Sequence, residues 1–233
     1  MNWEKILKLK EFDTPTVANG LELLKVMDPS AGYTGPDVRS LMPQLGRVVG
    51  IAATSRMDTT SPGMDNPPSL FNDWLRLMQK TASVEGGLTI PVFAVMESVG
   101  PRPKYTVTIG DRMATLMKLA GAAGFVTNGS IRDLEGVTQV PLPSWGAGLS
   151  PMHGKLRWLD VGSPVVIDGM TVRTGDIIMA DENGVICIPP AVADQVYDKA
   201  VSVQQTEEGF FRKVSEPGMT LDAYLGAYVK SSR

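Results

Sequence analysis

Apolar residues recur at helical spacing in WEKILKLKEF (3–12) and predict an opening helix. Asp13-Thr14-Pro15 then reads as a capped start, with proline in the first turn of a second helix running to about Val26. From Gly46 the texture changes. GRVVGIAAT (46–54) is a buried strand by its β-branched content. TTSPGMDNPPS (59–69) is dense in turn formers and predicts a surface loop ahead of a helix, LFNDWLRLMQKTA (70–82). Strands are expected at IPVFAVME (90–97) and YTVTI (105–109). The segment GDRMATLMKLAGAAGFVTNGSIRD (110–133) then predicts a helix capped by Asp111, ended by Gly121 to Gly124, and followed by a strand at FVT (125–127). Beyond Val137 the pattern turns to β, with SPVVI, MTVR, DIIMA and VICIP separated by turn signals at Asp168-Gly169, Thr174-Gly175 and Asn183-Gly184. These strands are expected to close the sheet as a meander. Two helices end the chain, 191–216 and 221–230, divided by Pro217-Gly218. Without a repeat or a low-complexity linker, one domain is expected over 1–233: a helical segment at 1–45, a core at 46–190 and C-terminal helices at 191–233.

The strand, helix, strand order around 105–133 is where chemistry enters. If YTVTI and FVT run parallel, Asp111 leaves the carboxyl end of the first strand, and residues 128–133 leave the carboxyl end of the second. Open α/β sheets bind ligands at that edge. Two carboxylates, Asp111 and Asp133, would then face a crevice with Arg132, whose planar fork suits a carboxylate or a developing enolate oxygen. Asp133 is a hard oxygen ligand of the kind magnesium or manganese takes. On spacing alone a plainer reading stands beside this one, with Asp111 as an N-cap and Arg132-Asp133 as a surface ion pair.

Composition narrows the classes without choosing among them. The 233 residues carry 22 basic and 25 acidic side chains, a formal charge of −3, with no block of like charge to follow a phosphate backbone. No nucleic-acid partner is expected. No apolar run is long enough to span a bilayer, and the charged start MNWEKILKLK lacks a secretory apolar region, so a cytoplasmic protein without a membrane partner is expected. One histidine and one cysteine are too few for a zinc site. His153 is expected in a loop near the cleft rim, Cys187 in the core, and Lys118 on an exposed helix face, with a catalytic role as the alternative for His153 and a Schiff-base role for Lys118.

The run Gly110-Asp111, Gly121-Ala-Ala-Gly124-Phe-Val-Thr-Asn-Gly129 and Ile131-Arg132-Asp133 resembles the family that joins the 4-hydroxy-4-methyl-2-oxoglutarate and 4-carboxy-4-hydroxy-2-oxoadipate aldolases to the RraA-like proteins. That family is marked by an Asp, twenty intervening residues, here 112–131, and an Arg-Asp pair. Thr174-Gly175-Asp176 and Ala180-Asp181 to Pro189 are similar to its second conserved region, so the likeness covers roughly 46–190. One departure is visible: Asn128-Gly129 stands where the family usually has Asp-Gly.

The resemblance implies an α/β fold, a single layered β/β/α swivelling-type domain with terminal helices, assembled as homotrimers or hexamers. It implies a metal-dependent aldolase that cleaves a 4-hydroxy-2-oxo acid to pyruvate and a second 2-oxo acid, with oxaloacetate decarboxylation as a side activity. Asp133 would hold Mg2+ or Mn2+. Arg132 would meet the developing enolate, Asp111 would orient a water, and the amides of Arg112 and Met113 would receive the substrate carboxylate. An acid from a neighbouring subunit's C-terminal part, at Glu207 or Glu208, would complete the site, although both also fit a solvated helix face. The alternative within the same family is a non-catalytic regulator that docks on a ribonuclease. The helical extensions at both ends, which the shorter regulators lack, favour the enzyme.

Overall fold

The computed structural model of the chain describes residues 1–63, 69–82, 84–85 and 87–231. The expected loop at 59–69 is seen as bends as far as Gly63, and 64–68 lie outside the described residues. Seven α-helices occur among the described residues: α1 (Trp3–Lys8), α2 (Thr14–Leu24), α3 (Ser69–Thr81), α4 (Asp111–Leu119), α5 (Leu134–Gln139), α6 (Ala193–Val214) and α7 (Leu221–Ser231). Asp13 does cap α2, accepting from the Thr16 amide at 2.9 Å, and the helix stops at Lys25, whose backbone is left-handed. None of the described helices is long and apolar enough to cross a membrane.

Among the described residues eight strands form one mixed sheet. Its parallel heart is Val48–Asp58, Val92–Val99, Ala122–Thr127 and Ser144–Gly146, in that spatial order. Strands buried on both faces lose the polar alternation of a surface strand. Along Val92–Val99 the side chains of Val92, Ala94 and Met96 enter one core, while Phe93 and Val95 enter another. The first core also takes Phe71, Trp74 and Met78 from α3, Ala114 and Met117 from α4 and Val137 from α5. A third core joins α1, α2 and α6 to Ile177, Met179, Ile186 and Ile188 at the sheet's other end.

The β-rich second half departs from a simple meander. Strands Val165–Ile167 and Met170–Val172 pair with each other in a two-stranded sheet of their own. Asp168 and Gly169 both have positive φ (47° and 89°), the geometry of a tight hairpin turn. Such a hairpin closes on itself, and its apolar side, Val165, Ile167, Met170 and Val172, covers the face of the main sheet that the helices leave open. The hairpin Ile177–Asp181 and Gly184–Ile188 does join the main sheet, antiparallel to Val48–Asp58. Hairpin, sheet and helices make three layers, the β/β/α arrangement expected.

Buried Asp181 ties the N-terminal helices to the sheet. It accepts from the amide and hydroxyl of Thr14, both at 2.7 Å, and from the Asn183 amide at 2.8 Å. One carboxylate thus fixes the start of α2 to the hairpin turn.

Candidate active site

The site is organised by a small sheet that the expected pairing of 105–109 with 125–127 did not include. Strand Val107–Ile109 pairs in parallel not with Ala122–Thr127, which belongs to the main sheet, but with the two-residue strand Ser130–Ile131. A third parallel strand, Gly148–Leu149, flanks it. Ile109 stands in register with Ile131, and the Arg132 amide donates to the Ile109 carbonyl at 3.1 Å. Gly110-Asp111 and Arg132-Asp133 therefore leave adjacent strands at the same end, the outcome expected, reached through a different pair of strands.

A cavity of about 330 Å3 lies at this exit. Asp111, Arg112, Met113, Arg132, Asp133 and His153 line it, and Val107, Leu116 and Leu156 give it an apolar wall. A second depression of about 380 Å3 shares Arg132 and Asp133 and continues past Leu134 to Leu149, Ser150 and Pro151. Glu207 and Glu208 do not line either space; they lie on the exposed side of α6, whose buried residues enter the third core.

Asp111 is not the N-cap of α4. Gly110, in extended conformation, holds that place without a side-chain bond, and Asp111 is the first helical residue. Its Oδ1 accepts from the Arg112 amide at 2.6 Å. Of the two amides expected to meet a substrate carboxylate, that of Arg112 is thus engaged, while that of Met113 has no protein acceptor among the described residues. It points outward at the positive end of the helix.

Asp133 has a left-handed backbone (φ 55°, ψ 45°) at the N-cap of α5, yet its side chain makes no cap bond. A non-glycine residue held there is uncommon and concentrates at functional sites. The carboxylate instead reaches back toward Arg132, Oδ2 to Nε 3.3 Å, with the two side chains 38% and 39% exposed. A pair this open adds little to stability.

Two glycines make room for these acids, and sequence reading gave neither that role. A Cβ on Gly110 would stand 2.5 Å from Asp133 Oδ2 and 3.2 Å from Arg132 Nε. A Cβ on Gly136 would stand 2.7 Å from Asp111 Cβ. Each acid thus packs against the glycine of the other segment. Gly110 lay within the motif but carried no hint of this contact, and Gly136 had no local signal at all.

Asn128 explains its own departure from the usual aspartate. Its Oδ1 accepts from the Ser98 amide at 2.6 Å while its Nδ2 donates to the Ser98 carbonyl at 2.9 Å. Only an amide matches both backbone groups. Lys118 lies at the far end of α4, half-buried rather than exposed, and outside the cavity lining. Desolvation lowers its pKa from the usual lysine value. Cys187 is a core residue as expected, with burial first and Asp176 second pushing its thiol up.

The donors at the cavity suit a hard cation held sparingly. The carboxylates here are Asp133, paired with Arg132 at 3.3 Å, and Asp111, one oxygen of which accepts from the Arg112 amide, and among the described residues no group of three or more acidic, histidine or cysteine side chains is placed to hold a metal by itself. A cation bound here would take most of its ligands from water or substrate oxygens, the habit of magnesium.

A family model that covers most of the chain identifies its family. The sequence profile of the RraA-like family (Aldolase/RraA) matches residues 14–187. A Halalkalibacterium halodurans protein with the provisional name 4-hydroxy-4-methyl-2-oxoglutarate aldolase is 27% identical over 171 residues, 69% of this chain and 81% of its own. Among solved structures, an uncharacterised protein of Pseudomonas syringae superposes with a TM-score of 0.71 at 23% identity, covering 96% of this chain and 94% of that one. Streptomyces coelicolor RraAS2, described as an unusual member of the RNase ES inhibitor RraA family, superposes with a TM-score of 0.69 at 23% identity, covering 88% and 96%. Those two likenesses speak for the fold. With the Asp111, Arg132 and Asp133 motif folded into one cavity and the profile spanning most of the sequence, the chain belongs to the RraA-like family.

Proposed function

We propose that this chain is a divalent-cation-dependent carbon–carbon lyase that cleaves 4-hydroxy-2-oxo acids of the 4-hydroxy-4-methyl-2-oxoglutarate type to pyruvate and a second 2-oxo acid. The observation that carries this reading is the meeting of Arg132 and Asp133 with Asp111 at the N-terminus of α4, in one cavity of about 330 Å3. The name given to the Halalkalibacterium relative supports it.

The substrate carboxylate is received at the open Met113 amide, where the helix end favours negative charge. Arg132 directs its guanidinium at the 2-oxo oxygen, where charge grows as the bond to C4 breaks. Asp111 holds a water beside it by hydrogen bonding. Mg2+ or Mn2+ on Asp133 would supply Lewis acidity toward the same oxygen. The apolar wall of Val107, Leu116 and Leu156 limits water around that charge and so strengthens its interaction with Arg132. Oxaloacetate gives the same pyruvate enolate on losing CO2 and is the expected second substrate.

The proposal extends to a homotrimer or hexamer in which Glu207 or Glu208 of a neighbouring subunit supplies an acid at this cavity. Exposed Phe211, on the same helix as those glutamates, and exposed Leu221 on α7 favour self-association. A mass near 25 kDa in light scattering at micromolar concentration would refute that part.

The test of the activity is pyruvate release from both substrates with magnesium, then with chelator. Turnover should vanish with chelator and return with magnesium or manganese. Arg132→Ala should lose about a hundredfold in turnover and Arg132→Lys should recover little of it. A folded protein that turns over neither substrate would leave the ribonuclease-docking role of other family members as the better reading.

A further inference from the structure

Cleavage of a 4-hydroxy-2-oxo acid needs a base for the 4-hydroxyl proton, and the residues assigned so far do not supply one. A guanidinium has only donors to offer, and an ordinary carboxylate is a weak base near neutrality. An imidazole exchanges protons in that range. The chain contains one histidine, His153, and it lines the same cavity as Asp111, Arg132 and Asp133.

Its loop is fixed on both sides. The Val107 amide donates to the Met152 carbonyl at 3.2 Å, and the Lys155 amide donates to the Thr59 carbonyl at 2.9 Å. Gly154 (φ 61°) lies so close to Thr59 that a Cβ would stand 2.3 Å from its carbonyl oxygen. The ring is oriented as well: His153 Nδ1 lies 2.7 Å from the Gly154 carbonyl. A carbonyl only accepts, so Nδ1 carries a hydrogen, and in the neutral ring Nε2 then keeps its lone pair.

We propose that His153 is the general base of the lyase reaction, taking the substrate's 4-hydroxyl proton at Nε2. This rests on the function proposed above. As the proton passes to Nε2, the C4–O bond becomes a carbonyl and the C3–C4 pair moves through C2 to the 2-oxo oxygen, leaving the pyruvate enolate. C3 then takes a proton from solvent, and the imidazolium returns one to it. The charged groups facing the same space are Asp111, Arg112, Arg132 and Asp133. Oxaloacetate has no hydroxyl proton to lose, so its decarboxylation bypasses His153.

That difference is the test. His153→Gln and His153→Ala should lose about a hundredfold or more in aldol cleavage. Both should keep oxaloacetate decarboxylation within a few-fold, whereas Arg132→Ala loses both activities. Equal loss of the two reactions in a folded His153 variant, or loss of neither, would overturn the assignment while leaving the lyase reading in place. Failure of the wild type on both substrates would instead refute that reading, and His153 as its base with it. Nitrogen-15 spectra of this single histidine in the wild-type protein should report the Nδ1–H tautomer; the Nε2–H tautomer would also overturn the proposal.

Discussion

Gly110→Ala should separate activity from stability. The backbone at Gly110 is extended (φ −131°), so alanine adopts it without strain. Reduced freedom of the unfolded chain should add about 0.4–1 kcal/mol, offset by a similar amount for the poorer helix cap, so little net change in stability is expected. The new Cβ meets Asp133 Oδ2 at 2.5 Å where ordinary contact begins at 3.4 Å. That oxygen ends a flexible side chain, so the carboxylate retreats by about 1 Å and carries the Arg132 fork with it. A displacement of that size at reacting groups costs about a hundredfold in rate, equivalent to about 2.7 kcal/mol in the barrier. Pyruvate release followed as kcat/KM, beside a thermal melt, reads both quantities. A variant with unchanged melting and near wild-type kcat/KM would show that the close approach of Gly110 to the Arg132-Asp133 pair has no part in catalysis.

Asp181→Ala should do the reverse. It strips the buried Thr14 amide and hydroxyl, and the exposed Asn183 amide, of their acceptor, costing about 3 kcal/mol, and lowering Tm by about 6–12 °C with little change in kcat per folded molecule; a shift under 2 °C would contradict this. Asn128→Asp should destabilise by about 1–3 kcal/mol, since a carboxylate facing the Ser98 carbonyl has no hydrogen to donate; chemical denaturation measures it, and a neutral result would contradict the two-bond pairing. Asp58 gives a pH dependence. Burial alone would raise its pKa, but bonds from Ser61 and Thr60 and the charge of Arg157 outweigh burial and hold it below the ordinary aspartate value. A depressed carboxylate stabilises above its unfolded pKa and loses that contribution as pH falls through the folded value. Wild type should therefore lose stability below about pH 4 more steeply than Asp58→Asn in pH-dependent melts; parallel curves would contradict this.

Most elements were legible because their apolar spacing is local: α2 with its Asp13 cap, α3, α6 and the buried strands all lie near their expected bounds. The motif also placed Asp111, Arg112, Met113, Arg132 and Asp133 at one exit. Sheet membership was not legible. Nothing in Ser130–Ile131 marks a two-residue strand, and its partner Val107–Ile109 is chosen by tertiary packing rather than by propensity. The same limit hid Gly136, whose small size matters only because Asp111 lies across from it in space. Asp111 was misplaced by a single residue, since a helix start with a glycine cap offers no side-chain signature to fix the boundary.

The three parallel strands of the small sheet deliver three separate loops to one rim. The first two carry the acids and the arginine, locked against each other through their glycines. The third, past Leu149 through Ser150 and Pro151, forms the outer wall of the second depression and is joined to its neighbours by the Ser150 amide and hydroxyl, which donate to the Ile131 and Tyr105 carbonyls. Leu149 and Pro151 are exposed, and the folded core makes little use of their side chains. Such a division of labour lets a lineage exchange the wall while the reacting groups stay fixed. If the lyase activity proposed above holds, substitutions at 149 and 151 should change its substrate range at almost no thermodynamic cost, and a library confined to those two positions is a direct way to redirect it.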